Sequence, residues 1–288
     1  MTLTLALTLL LSIMIGLSLG LLGGGGSILT VPILTYVAGL DPKEAIAASL
    51  FVVGVTSVFS AVTHARQGRV KWRTALIFGL ASMVGAFLGG LAGGYIPGTV
   101  LMIAFAVMMV ATSLAMIRGR KKEKESSERT DLPLVKILIE GLVVGLVTGL
   151  VGAGGGFLVV PALALLGGLS MPVAVGTSLV VIAMKSFAGL GGYLTSVSLD
   201  WALVGAVTAA AIVGSVIGAR LAGKIPEAAL RKGFGVFVLV MGFFVLAQEL
   251  PGVGGLIVAG AAGAAAVAAL VCWFAVSRCP LRSKAFAG

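Results

Sequence analysis

Residues 20–32 read Gly-Leu-Leu-Gly-Gly-Gly-Gly-Ser-Ile-Leu-Thr-Val-Pro. Residues 149–161, 129 positions later, read Gly-Leu-Val-Gly-Ala-Gly-Gly-Gly-Phe-Leu-Val-Val-Pro. Each stretch interrupts a long apolar run that otherwise has the character of a membrane helix. A helix holds such a run of glycines poorly, because each costs about 1 kcal/mol relative to alanine. In lipid, unwound backbone survives only where it is buried in protein or lines a cavity. A glycine break at membrane depth, present in both halves of a chain, points to a transport site between duplicated halves.

Composition agrees. The chain has 288 residues, 59% hydrophobic and 10% charged, where a soluble domain is nearer 25% charged. Apolar runs of roughly 20 residues recur along most of its length, enough to span a bilayer each time. The short alternating strands of a transmembrane barrel are absent. The expected fold is all-α, a polytopic transmembrane helical protein. The net charge of +10 does not indicate nucleic acid, because the basic residues sit in short segments between apolar runs. Cys272 and Cys279 are too few and too late for a disulfide framework or a metal site. The first 22 residues lack the Lys/Arg start of a signal peptide, and their counterpart, Leu134 to Val151, lies inside the chain. The N-terminal run is therefore expected to belong to the fold.

The 129-residue offset extends well past the glycines. Gly39-Leu40 matches Gly168-Leu169, Ser49-Leu50 matches Ser178-Leu179, and Ser57 matches Ser186. Trp72 matches Trp201, Gly85 matches Gly214, Gly89 matches Gly218, and Ile96-Pro97 matches Ile225-Pro226. Matched leucines mean little in apolar helices, but Trp, Pro and Gly at one fixed spacing indicate a duplication. The chain divides into a first repeat (1–118), a basic linker (119–132), a second repeat (133–250), and an extra C-terminal helix with a basic tail (251–288). Each repeat has an apolar run (3–22; 134–151), a short segment after the glycines (27–39; 156–168) and three spanning helices. These are expected at 43–65, 72–93 and 97–118, and again at 172–194, 201–222 and 227–248. The final helix, about 253–276, has no counterpart.

Charge sets an expected topology. If each glycine region returns the chain to the face it came from, the repeats are inverted. The Lys and Arg residues of segments 66–73, 118–136, 220–232 and 278–284 then all face the cytoplasm, 18 of 20. Lys43 alone lies outside, and Lys185 lies within the membrane. Parallel repeats would scatter these charges across both faces, against the positive-inside rule. A segment of about 13 residues makes a helix of about 20 Å, short of a hydrocarbon core of about 30 Å. A half-helix or re-entrant hairpin satisfies both constraints, and a strongly tilted crossing is the alternative.

Several residues carry candidate chemistry. A half-helix beginning after Gly26 or Gly156 would aim free N–H groups and a positive dipole end at the membrane interior, where they attract anions. Gly24, Gly25 and Gly26, with Gly154, Gly155 and Gly156, would let the backbone approach a ligand closely. Ser27 would cap the first half-helix or touch the ligand. Pro32 and Pro161 suit a first helical turn. Close helix packing accounts better for Gly85, Gly89, Gly214 and Gly218. The next helix carries Ser49, Thr56, Ser57 and Ser60 on one face, and its repeat carries Ser178, Lys185 and Ser186 with Thr177 alongside. Binding and simple bonding to the helix's own carbonyls are both open for these hydroxyls. Lys185 stands apart, because a charge near the centre of a membrane helix is costly and marks a functional site by default. His64 is expected to be a solvated loop residue, and Asp41, Glu44 and Asp200 helix-end residues.

The glycine run ending in Val-Pro, its repeat, and the basic segment before Trp72 resemble the sulfite exporter TauE/SafE family of membrane permeases. The resemblance covers nearly the whole chain apart from the linker and the last helix. It implies transport of small sulfur-containing anions such as sulfite or organosulfonates, in the inner membrane of a prokaryote, with linker and tail cytoplasmic. The substrate-binding residues would be Gly24–Gly26, Ser27, Ser49, Thr56, Ser57, Gly154–Gly156, Thr177, Ser178, Lys185 and Ser186. The expected partners are a small anion and the lipid bilayer, with no nucleic acid, cofactor, metal or catalytic residue. An anion channel, or a permease for another small anion, is the nearest alternative. A membrane enzyme would need a convergent His, Cys or carboxylate cluster, which the sequence lacks. A scaffold subunit would not require glycine breaks in both halves.

Overall fold

The computed structural model describes residues 2–22, 27–118, 134–152, 156, 159–160, 163, 169, 171–221 and 227–250. Nine helices lie among them and no strand. They are α1 (Thr2–Leu22), α2 (Thr30–Tyr36), α3 (Pro42–Arg66), α4 (Trp72–Tyr95), α5 (Gly98–Arg118), α6 (Leu134–Val151), α7 (Met171–Tyr193), α8 (Trp201–Leu221) and α9 (Glu227–Glu249). Of these, α1, α3, α4, α7 and α8 are long and apolar enough to cross a membrane. The expected bounds hold to within one or two residues for α3 to α9. The glycine runs Gly24–Gly26 and Gly154–Gly155, Pro161, the linker and the final helix lie outside the described residues.

Local chemistry explains the boundaries. Pro42 opens α3 with Glu44 in its first turn, where a missing N–H costs nothing and an acidic group favours the dipole. Gly68, at φ 67°, turns the chain out of α3. Asp200 caps α8, accepting from the backbone N–H groups of Ala202 and Leu203 at 2.9 and 3.2 Å. Lys43 donates to the carbonyl of Gly94 at 2.7 Å, placing a cation on the negative end of α4. Trp72, Tyr95 and Trp201 are exposed at helix ends, where amphipathic rings suit a membrane–water boundary.

The helices form two compact units. The first holds α1–α4, α6, α7 and α8 with the start of α5; the second holds the rest of α5 with α9. In the first, α4 packs on α6 and α1 packs on α8, through glycines. Gly85 faces the Leu142 carbonyl and Leu146 amide; Gly214 faces the Ile13 carbonyl and Leu17 amide. Gly145 meets the backbone of Ser82, and Gly16 that of Ala211. Every residue in one set is the 129-residue equivalent of one in the other. α6 thus packs on the glycine-lined α4, and α1 on the glycine-lined α8, by contacts whose residues correspond at the 129-residue offset. The packing reading of Gly85, Gly89, Gly214 and Gly218 is what the structure contains.

Helix directions follow from the same contacts. Along α4, Gly79 meets Met184 of α7, Gly90 meets Gly189, and Gly93 meets Tyr193, so α4 and α7 run parallel. Along α3, Leu50 meets Gly189, Gly54 meets Phe187, and His64 meets Gly176, so α3 and α7 run antiparallel. α3 and α7 nevertheless carry matching residues, Ser49-Leu50 with Ser178-Leu179 and Ser57 with Ser186, at the 129-residue offset.

The short segments are buried. A single 3₁₀ turn at 27–29 leads into α2, and all of Ser27 to Leu34 is buried. α2 has 7 residues, about 10 Å of helix, a third of a hydrocarbon core. In the second repeat Val159 and Leu163, one helical turn apart, pack in a core with Val53, Phe78, Ala174, Val181 and Ile182. In the second unit, Gly242 of α9 lies against Met109 and Val110 of α5, with a Cβ position 3.1 Å from each.

Candidate functional site

The site is built on the end of α6. Gly152 follows Val151 in the left-handed region, at φ 70°, the usual glycine position past a helix C-terminus. Its N–H donates to the Thr148 carbonyl at 3.0 Å. The helix stops beside Ile46 and Ser49 of α3. Ser49 lies seven residues inside α3, about 10 Å from its start. The helix therefore ends at depth within the unit, where Val151 and Gly152 are buried. Side chains from other helices satisfy its last carbonyls. Ser49 Oγ donates to the Gly152 carbonyl at 2.9 Å, and the Tyr193 hydroxyl donates to the Leu150 carbonyl.

Lys185 of α7 reaches this same end. Its Nζ donates to Thr148 Oγ1 at 2.7 Å, and Lys185 and Thr148 are each 1% exposed. The Thr148 hydroxyl lies 2.7 Å from the Val144 carbonyl, to which it donates. An ammonium has three donors; one is engaged here by a neutral hydroxyl. No carboxylate pairs with Lys185 among the described residues. The residue lies about 12 Å along the helix from its nearer end, Tyr193, too deep for the ammonium to snorkel out. The negative end of the α6 dipole favours the protonated form, but a buried charge whose one partner among the described residues is neutral is costly. What this arrangement can do chemically is accept an anion.

The other candidate residues that the structure describes are all buried, and the structure divides them. Ser49 joins Lys185 at the α6 end. Ser57 and Ser186, equivalent positions, are buried hydroxyls with no hydrogen-bond partner among the described residues. Thr56, the equivalent of Lys185, donates back to the Val52 carbonyl at 2.7 Å. Ser178 does the same toward Val175 at 2.8 Å. Thr177 accepts from the Lys71 N–H at 3.1 Å, two turns from Lys185, and so anchors the α3–α4 connection. Ser27 is buried in the 3₁₀ turn, and Gly156 is buried; Gly24, Gly25, Gly26, Gly154 and Gly155 lie outside the described residues. His64 belongs to the last turn of α3, half-buried, with Nδ1 unpartnered, because its helix packs against Gly176; it is not a solvated loop residue. Thr148, Tyr193 and the unpartnered Thr30 were not singled out by the sequence. Thr148 lies four residues before a glycine break, the one signal that could have marked it. No group of three or more His, Cys, Asp or Glu among the described residues could hold a metal.

Several helices long and apolar enough to span a membrane, one ending at depth beside a buried lysine, fit a multi-pass membrane protein. The chain belongs to the family described as Sulfite exporter TauE/SafE, whose model matches residues 8–245. A probable membrane transporter protein of Xylella fastidiosa is 33% identical over 236 residues, 79% of this chain and 89% of the relative. Another, MJ0441 of Methanocaldococcus jannaschii, is 31% identical over 245 residues, 78% of this chain and 89% of the relative. Sulfite exporter TauE/SafE family protein 5 of Arabidopsis thaliana is 31% identical over 105 residues, 36% of this chain and 23% of that protein. No solved structure matches significantly. As a member of a transporter family the protein is a permease and not an enzyme.

Proposed function

We propose that the protein is a carrier of a prokaryotic inner membrane that exports a small sulfur-containing anion, sulfite or an organosulfonate. The observation that carries this reading is the Lys185 amine, buried at the end of α6 with one neutral hydrogen-bond partner among the described residues. The family's description supplies the sulfur oxyanion. The binding residues are Lys185, the hydroxyls of Ser49, Ser57 and Ser186, and Ser27 with Gly24–Gly26 and Gly154–Gly156 at the glycine breaks; Thr56, Thr177 and Ser178, whose hydroxyls are engaged by backbone groups, line the same two helices. Ser57 and Ser186 are the strongest hydroxyl candidates, since a buried hydroxyl without a partner costs about 1–3 kcal/mol until a ligand satisfies it.

The two repeats, 1–118 and 133–250, are inverted about an axis in the membrane plane, with the linker 119–132 and the tail of 251–288 in the cytoplasm. The antiparallel course of the equivalent helices α3 and α7 supports this, as does the charge distribution. An inside-negative potential favours anion exit by about 2.3 kcal/mol per charge per 100 mV, so export requires no coupling ion. The test is flux from proteoliposomes loaded in turn with sulfite, sulfate, thiosulfate and taurine-derived sulfonates. Saturable sulfite or sulfonate efflux with counterflow is the expected result. Non-saturating flux would indicate an anion channel, and no flux of any sulfur anion would overturn the substrate class.

A further inference from the structure

We propose that Thr148 is a positioning residue for transport: it holds the Lys185 ammonium at the C-terminal end of α6, where an incoming oxyanion meets it. The inference rests on the reading of Lys185 as the anion's counter-charge. Thr148 is buried at the last turn of α6, and its Oγ1 lies 2.7 Å from Lys185 Nζ and 2.7 Å from the Val144 carbonyl. The hydroxyl hydrogen goes to that carbonyl, so the oxygen faces the ammonium as an acceptor. The chain through Lys185, Thr148 and Val144 is therefore fixed in direction. It draws a lysine of α7 onto a helix of the same repeat, 37 positions earlier.

A neutral hydroxyl suits this role better than a carboxylate would. A carboxylate would neutralise the ammonium and compete with the substrate. A hydroxyl keeps the ammonium at one point while leaving its charge for the ligand, and its remaining donors are directed by that contact. The first repeat has no such device. Leu19 stands at the position equivalent to Thr148 and Thr56 at that equivalent to Lys185. Thr56 satisfies itself on the carbonyls of Val52 and Val53. The site is thus asymmetric, with one positioned charge on the second-repeat side.

The experiment is sulfite efflux from proteoliposomes by Thr148→Val, Thr148→Ser, Lys185→Gln and the double variant Thr148→Val with Lys185→Gln. Thr148→Val keeps shape and removes the acceptor. It should raise the half-saturating sulfite concentration about tenfold, the loss of one charge-assisted hydrogen bond, with maximal flux within about twofold. Thr148→Ser should restore the half-saturation, because it keeps the oxygen. In the Lys185→Gln background, Thr148→Val should have no further effect, since the two residues act as one unit. If Thr148→Val does not fold, Thr148→Ala carries the same expectation. An unchanged half-saturation for Thr148→Val, or a full additional loss in the double variant, would overturn the positioning role. A wild-type response by Lys185→Gln would instead remove the counter-charge reading itself.

Discussion

The hydroxyl of Ser49 donates to the carbonyl of Gly152 at 2.9 Å, tying the third helix of the first repeat to the broken end of the second repeat's first helix. Gly152 sits at φ 70°, and a Cβ there would lie 2.6 Å from Ile46 Cγ2 and 3.0 Å from Ile46 Cα. Gly39 and Gly68 also have positive φ, at 75° and 67°, but a Cβ at either would meet nothing within 4 Å. Gly152→Ala therefore suffers backbone strain of about 1–2 kcal/mol plus a clash, and Gly39→Ala and Gly68→Ala suffer the strain alone. In thermal unfolding of detergent-solubilised protein, Gly152→Ala should melt well below both. Ser49→Ala should lower stability by about 1 kcal/mol, the scale of an interhelical hydrogen bond in membranes. Equal melting of the three glycine variants would contradict the close approach at the break.

The exchanged glycine contacts make a second prediction. Gly85 and Gly214 each face a backbone carbonyl, of Leu142 and Ile13, leaving no room for a methyl group. Gly85→Ala and Gly214→Ala should be destabilised by similar amounts, about 1–3 kcal/mol for overpacking. Gly205→Ala, with open space around it, is the control and should melt at or above the wild-type temperature. A large difference between the Gly85 and Gly214 variants would argue against equivalent interfaces.

Much of this fold is legible in the sequence, for identifiable reasons. Trp72, Pro97, Gly85 and their partners recur at one spacing, and apolar runs end where charge or Pro begins, so helix bounds follow. The site is less legible. A threonine in an apolar run reads as bonding its own helix, and Thr148 does bond Val144; only the packing of α6 against α7 brings Lys185 to its other side. Thr177 shares a face with Lys185, which groups them by periodicity. The α3–α4 connection nevertheless takes the Thr177 hydroxyl, a contact 106 residues apart in sequence that no local pattern encodes.

The opposed directions of α3 and α7 give a topological prediction. In inverted repeats the α3–α4 connection faces the cytoplasm and the α7–α8 connection faces outward. Gln67 and Ser198 are exposed in these two connections. With Cys272 and Cys279 replaced by serine, Ser198→Cys should react with a membrane-impermeant thiol reagent in intact cells. Gln67→Cys should react only after permeabilisation. Equal labelling of both in intact cells is the outcome that parallel repeats require.

Lys185 gives the sharpest separation between a structural and a binding role. A buried lysine whose one hydrogen-bond partner among the described residues is a neutral hydroxyl is a cost to folding when charged, and replacing a buried charge by an apolar side chain of similar volume is often neutral or stabilising. Lys185→Met should therefore melt at or above the wild-type temperature. Its half-saturation for sulfite should nonetheless rise about 10–100-fold, the scale of a lost charge-assisted hydrogen bond. Lys185→Arg keeps the charge but alters its geometry, and should retain part of the affinity. Thr56→Ala removes a hydroxyl that bonds its own helix, and should change affinity by no more than about twofold. A lysine held for structure predicts the reverse pattern, a lower melting temperature with affinity preserved in whatever protein folds. Stability and affinity moving in opposite directions at one residue is the signature of a charge kept for its ligand.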